Sequence, residues 1–225
     1  MKHAADPIWY VAYGSNLSAT RFACYLSGGR PPGARLANRG ARDPQPPAAD
    51  SAVVLNGQVY FTGTSAMWGG AVAFFDPLAP GSALARSYLL TTEQFVDVMA
   101  QEMGGEPGGE LSLPQSLASG DRIALGPGPY GTLVVCGERD GIAMVTFTAP
   151  WAMADAVPEA PSLSYLAVLA AGLGESHDLG VRARAAYLAG LRGAGPRWDT
   201  EGLAAALHTG PVLRTGRGVD HTDAS

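Results

Sequence analysis

The pentapeptide Tyr13-Gly14-Ser15-Asn16-Leu17 stands where an apolar segment, Ile8 to Tyr13, gives way to a short helical pattern from Ser18 to about Leu26. A strand-to-helix turn of this kind presents successive backbone N–H groups and a helix N-terminus. Together they can cradle a carboxylate or a carbonyl oxygen without any cation. The same letters also suit a plain cap, with Ser15 or Asn16 closing the helix that follows. Glu102 is the second residue of interest. In a helix from Thr91 to Met103, the residues Phe95, Val98, Met99 and Glu102 share one face by the i, i+3, i+4, i+7 rule. A carboxylate thus joins an apolar stripe, in a last turn whose dipole also disfavours negative charge. Both effects raise its pKa, as a general acid/base working near neutrality requires. On pattern alone, a Glu that ends the helix and leans into solvent past Gly104 is the favoured reading.

Other catalytic patterns fail on context. Gly126-Pro127-Gly128-Pro129-Tyr130-Gly131 spells G-x-G-x-x-G, but two prolines interrupt it and a strand follows where a dinucleotide site needs a helix. Ser176-His177-Asp178 contains the residue types of a triad, yet adjacent side chains cannot converge, and a helix-start cap is the expectation. His3, His177, His208 and His221 lack zinc-type spacing, so no metal and no cofactor is expected. Lys2 is the only lysine, which disfavours Schiff-base and Walker-type chemistry.

The elements that must position the turn and the carboxylate follow from hydrophobic periodicity. Ile8–Tyr13 reads as a buried strand. Residues 52–55 and 59–61, flanking Asn56-Gly57, read as a hairpin, and residues 70–75, 83–90, 122–125, 132–137 and 142–148 as further strands. Helices are expected over 91–103, opened by a Thr91/Gln94 capping box, and over 162–173, 179–191 and 199–207. Residues 28–50 and 104–120 are rich in Gly and Pro and read as loops, and the tail after 214 as frayed. The 47% hydrophobic content suits a packed core, and 225 residues suit one domain with appendages. The net charge of −5 argues against nucleic acid as a partner. The N-terminus lacks a signal-peptide pattern, and no apolar run reaches a membrane span. Cys24 and Cys136 stand apart, so a cytoplasmic, reduced protein without membrane contact is expected.

Taken in order, these landmarks resemble the γ-glutamylcyclotransferase-like family. Tyr13-Gly14-Ser15-Asn16-Leu17 is similar to its Y-G-S-N-L signature, and Trp68-Gly69-Gly70-Ala71-Val72-Ala73 to its W-x-G-G strand. Glu102, just before Gly104, falls where the family carries its catalytic glutamate. Pro161-Ser162-Leu163-Ser164-Tyr165, Gly172 and the 179–187 segment resemble its later helices. The resemblance implies an α+β fold, a small mixed β-barrel with surrounding helices, over residues 8–191. Residues 192–225 would be a C-terminal extension.

It also implies a mechanism that needs no Ser or Cys nucleophile, metal or cofactor. A γ-glutamyl amide carries its own nucleophile, the α-amine, which attacks the γ-carbonyl to form 5-oxoproline and release an amine. By this resemblance Glu102 is the catalytic proton shuttle, while Tyr13, Gly14, Ser15, Asn16, Leu17 and Tyr165 bind a small-molecule γ-glutamyl substrate. A homodimer is the assembly considered. A hydrolase or acyltransferase of related chemistry, or a non-catalytic binding module, are the alternatives, and the Gly/Pro-rich loops would set the leaving amine.

Overall fold

Strand β1 (Pro7–Ala12) shows why its sequence is apolar without alternation. In the computed structural model, which describes residues 6–109, 111–195 and 197–209, both faces of this strand are buried. Ile8, Tyr10 and Ala12 point into one core with Phe22, Phe95, Met99 and Phe147, while Trp9, Val11 and Tyr13 point into another with Phe61, Phe75, Tyr165 and Leu169. The end of β1 is thereby fixed from both sides.

The strand sits inside a six-stranded sheet of order β2-β5-β1-β8-β7-β6. Its members are β2 (Ala49–Asn56), β5 (Ser82–Thr91), β6 (Arg122–Ala124), β7 (Thr132–Arg139) and β8 (Ile142–Thr148). Only β1 and β8 run parallel, and every other pairing is antiparallel. A separate antiparallel pair, β3 (Gln58–Ser65) with β4 (Gly70–Asp76), completes the strands. Helices α1 (Ala19–Ser27) and α2 (Thr92–Glu102) supply the first core, and α3 (Leu163–His177), α4 (Val181–Gly190) and α5 (Thr200–Thr209) pack around the second.

The fold is α+β, as expected, with helices surrounding a mixed sheet. Backbone hydrogen bonding divides the strands into the sheet of six and the β3–β4 pair, without a closed ring. The hairpin expected at Asn56-Gly57 does not form: β2 pairs with β5, and β3 with β4. Gly57 is where the chain passes from one sheet to the other. Its φ is 131°, and a Cβ there would lie 2.6 Å from the Asp76 carbonyl, so only glycine fits the crossing. Ser176-His177-Asp178 lies at the end of α3, not at a helix start, with Asp178 left-handed as the cap. The capping box of α2 forms as expected, Thr91 Oγ1 accepting from Gln94 N and Gln94 Oε1 from Thr91 N, both at 3.1 Å.

The two loops are tied down by one side chain. Asp97, fully buried on α2, accepts from the backbone N–H groups of Arg42 and Gly108, both at 2.8 Å, and from the Arg42 guanidinium. Burial alone would raise its pKa, but these donors win and hold it below the ordinary value. Residues 192–209 are anchored as well: Ala194 and Leu203 are buried in the second core, and Trp198 Nε1 donates to the Pro161 carbonyl at 3.0 Å. The tail from 214 to 225, expected to fray, lies outside the described residues. Among the described residues no helix is long and apolar enough to cross a membrane.

Candidate functional site

Immediately after β1 the chain makes a short 3-10 turn, Ser15–Leu17, before α1 begins. Tyr13 anchors its start by donating to the Phe147 carbonyl at 2.8 Å. Behind the turn, Tyr88 Oη donates to the Asn16 carbonyl at 2.8 Å, and Arg86 Nη1 to the Leu17 carbonyl at 3.2 Å. Helix α3 presses on it so closely that a Cβ on Gly172 would lie 2.3 Å from the Leu17 carbonyl carbon. The cap of α1 is Ser18, not Ser15 or Asn16. The helix N-terminus, expected as part of an anion seat, is already filled from within: Glu175 accepts from Ala19 N at 2.9 Å and from Ser18 Oγ at 3.3 Å.

The front of the turn opens on a cavity of about 340 Å³. Of the residues singled out in the sequence, Tyr13, Gly14, Ser15, Asn16, Glu102 and Tyr165 all line it. Leu17 does not. It is buried at 1% exposure in the second core and serves packing. The G-x-G-x-x-G segment is a turn between β6 and β7, and it contributes Pro129 and Tyr130 to the cavity wall.

Glu102 reaches the cavity from the last turn of α2, below the apolar face formed by the fully buried Phe95, Val98 and Met99. Asn16 Nδ2 donates to Glu102 Oε1 at 3.2 Å and to Tyr10 Oη at 3.0 Å. The turn and the carboxylate, 86 residues apart in sequence, therefore touch. Part of the Glu102 surface faces the cavity, yet side chains enclose the carboxyl group. Burial raises its pKa, and the Arg21 cation and hydrogen bonds from Tyr25 and Asn16 offset this only in part. Such a group can accept and return a proton near neutrality more readily than an exposed glutamate.

Tyr165 closes the opposite wall. Its N-terminal position on α3 is set by Ser162, which caps the helix and donates to the Trp68 carbonyl at 2.8 Å. Its Oη accepts the Ala73 N–H at 3.1 Å. A Cβ on Gly14 would come within 3.2 Å of this hydroxyl, so a larger residue would press on Tyr165. Burial pushes the phenols of Tyr10, Tyr13, Tyr25, Tyr130 and Tyr165 upward, so all stay protonated at neutral pH.

Among solved structures the chain is similar to a gamma-glutamyl cyclotransferase, 16% identical with a TM-score of 0.48, matched over 91% of this chain and the whole of that one. The chain is similar to that enzyme in fold. An uncharacterised protein from Homo sapiens is matched over 90% of this chain and 98% of that chain, at 15% identity and a TM-score of 0.49. Histone deacetylase 5 of Arabidopsis thaliana is 29% identical over 198 residues, which is 80% of this chain and 30% of that protein. The chain thus spans under a third of this curated relative. No protein-family model matches.

Several cavity residues carried no sequence signal that pointed to a site, three of them beside Glu102. Arg21 read as an ordinary helix residue, and Tyr10 and Tyr25 as core aromatics, yet all three surround Glu102. Arg21 could have been suspected from its place on the apolar side of a nine-residue helix, one position before Phe22.

Proposed function

We propose that this chain cleaves a γ-glutamyl amide or peptide by intramolecular attack of the α-amine, releasing 5-oxoproline and an amine. The observation that supports this most is the contact between Asn16 on the turn and a buried carboxylate at the end of α2, inside one cavity. In this reading the turn at Gly14–Asn16 holds the γ-carbonyl through backbone N–H groups. Tyr165 packs its hydroxyl against Gly14 of that turn and is itself held by the Ala73 N–H. The substrate is held curled, which supplies several kcal/mol of the barrier through proximity.

Proton movement then falls to Glu102. As ring closure proceeds, a bond forms between the α-nitrogen and the γ-carbon while the amide C–N bond breaks. Glu102 accepts the proton lost by the α-nitrogen and returns it to the departing amine, so the enzyme ends the cycle unchanged. Its raised pKa keeps it poised to do both. The leaving amine would lie against the β3–β4 side of the cavity, where Thr64, Ser65, Val72 and Phe74 line the wall.

Incubation with a panel of γ-glutamyl amides, followed by mass spectrometry of the products, tests the reading. Equimolar 5-oxoproline and free amine are expected. Free glutamate would redirect the assignment to hydrolysis, and binding without turnover to a ligand-binding module.

A further inference from the structure

Arg21 is buried at 2% exposure, yet among the described residues it makes no ion pair. Its guanidinium lies 4.3 Å from the Tyr25 ring centroid and 5.9 Å from that of Trp68, and Nη2 stands 3.5 Å from Met67 Sδ. Tyr25, Trp68, Met67 and Arg21 itself all line the cavity. Nη1 donates to Asn38 Oδ1 at 2.9 Å, while Nε has no partner among the described residues. An enclosed guanidinium with only neutral groups in contact is costly unless an anion completes it. Glu102 feels this cation but does not touch it. A cation and a carboxylate thus border one cavity without neutralising each other. Asn16, which also lines this cavity, has its Oδ1 buried and without a donor among the described residues.

We infer that Arg21 is the seat of the substrate's free α-carboxylate, so that the cavity recognises the amino-acid end of the γ-glutamyl group as a zwitterion. This deepens the cyclotransferase reading and rests on it. Arg21 takes the carboxylate through its unused N–H groups, and Asn16 Oδ1 and Glu102 take the α-nitrogen. The two charged groups of an amino acid share one carbon, so fixing the carboxylate at Arg21 also fixes the direction from which the α-nitrogen approaches the γ-carbonyl. The substrate class narrows accordingly: γ-glutamyl compounds with an unmodified α-carboxylate, as opposed to α-amidated ones.

Calorimetric titration with 5-oxo-L-proline and with its carboxamide tests this without relying on turnover. The full chain should bind the acid at least about 30-fold more tightly than the amide. Arg21→Gln should erase that preference by weakening the acid alone, and Arg21→Lys should restore part of it. Equal binding of both ligands by the unaltered protein, no binding of either, or an equal loss for both in Arg21→Gln would overturn the assignment. Turnover of γ-glutamyl amides without acid preference would sink Arg21 as the seat and leave the cyclotransferase reading standing. Acid preference without turnover of any γ-glutamyl amide would do the reverse.

Discussion

The turn at residues 14–18 has two sides that treat polar groups in opposite ways. Behind it, Arg86 is 8% exposed and fully engaged: it pairs with Asp50 at 2.7 Å and Glu175 at 2.8 Å and donates to the Leu17 carbonyl. In front of it, Arg21 is more deeply buried and, among the described residues, has no carboxylate in contact, while Asn16 Oδ1 and Arg21 Nε lack partners there. A folding requirement explains the back, because paired charges and satisfied carbonyls stabilise one conformation of the turn. It does not explain the front, where unsatisfied groups border a cavity and reduce stability. The difference teaches where to look for function: at a well-braced turn beside a cavity whose polar groups a ligand would complete.

Substitutions on the two sides should therefore separate activity from stability. The largest expected effect is on the front. Glu102→Gln should lower kcat by about 1000-fold or more, since it removes the proton carrier and keeps the shape, with the melting temperature unchanged or slightly higher. Steady-state kinetics beside thermal melts would check this, and retained activity would remove Glu102 from the mechanism. Next comes the back. Arg86→Met should cost about 2–3 kcal/mol in denaturant unfolding, discounted because Asp50 and Glu175 are partly exposed, and should affect kcat only through the turn.

Tyr165 belongs to both sides. Tyr165→Phe removes the acceptor of the Ala73 N–H, so a stability loss of about 1–2 kcal/mol is expected together with a fall in kcat/KM of about 10-fold. A variant that lost one property and not the other would show the wall and the site to be separable.

The smallest effect is a pH dependence. Glu102 has a raised pKa in the folded chain, so between the ordinary carboxylate value and the raised one the folded state holds a proton that the unfolded state has lost. Stability from this source is present at low pH and is lost as pH rises through that window. Glu102→Gln should flatten this segment of the stability curve. The acid limb of kcat/KM should lie above the range of an exposed glutamate, because only the ionised form accepts the proton, and Arg21→Gln should move it higher still by removing the cation that lowers it.

Much of this geometry could be read from residue order. Ile8–Tyr13 was legible as a buried strand because both faces are apolar, and the i, i+3, i+4, i+7 pattern brought Glu102 to the face where it lies. The bracing of the turn was not legible. Arg86, Tyr88, Gly172 and Glu175 lie 69 or more residues from the turn they hold, and each looks ordinary in its own segment. Asn56-Gly57 misled for a related reason: its letters fit a hairpin, but tertiary pairing of β2 with β5 and β3 with β4 overrode the local preference. Arg21 was hidden because a single basic residue near the apolar side of a short helix usually reaches solvent. Nothing in the sequence shows that Tyr25, Trp68 and Met67 will enclose it.

Turnover of a γ-glutamyl amide in ¹⁸O-labelled water tests the central claim most directly, because it asks which atom attacks the γ-carbonyl. Intramolecular attack predicts unlabelled 5-oxoproline in equal amount to the released amine, with this product lost in Glu102→Gln. Glutamate carrying ¹⁸O in its γ-carboxylate would contradict it and assign the cavity to water-mediated hydrolysis.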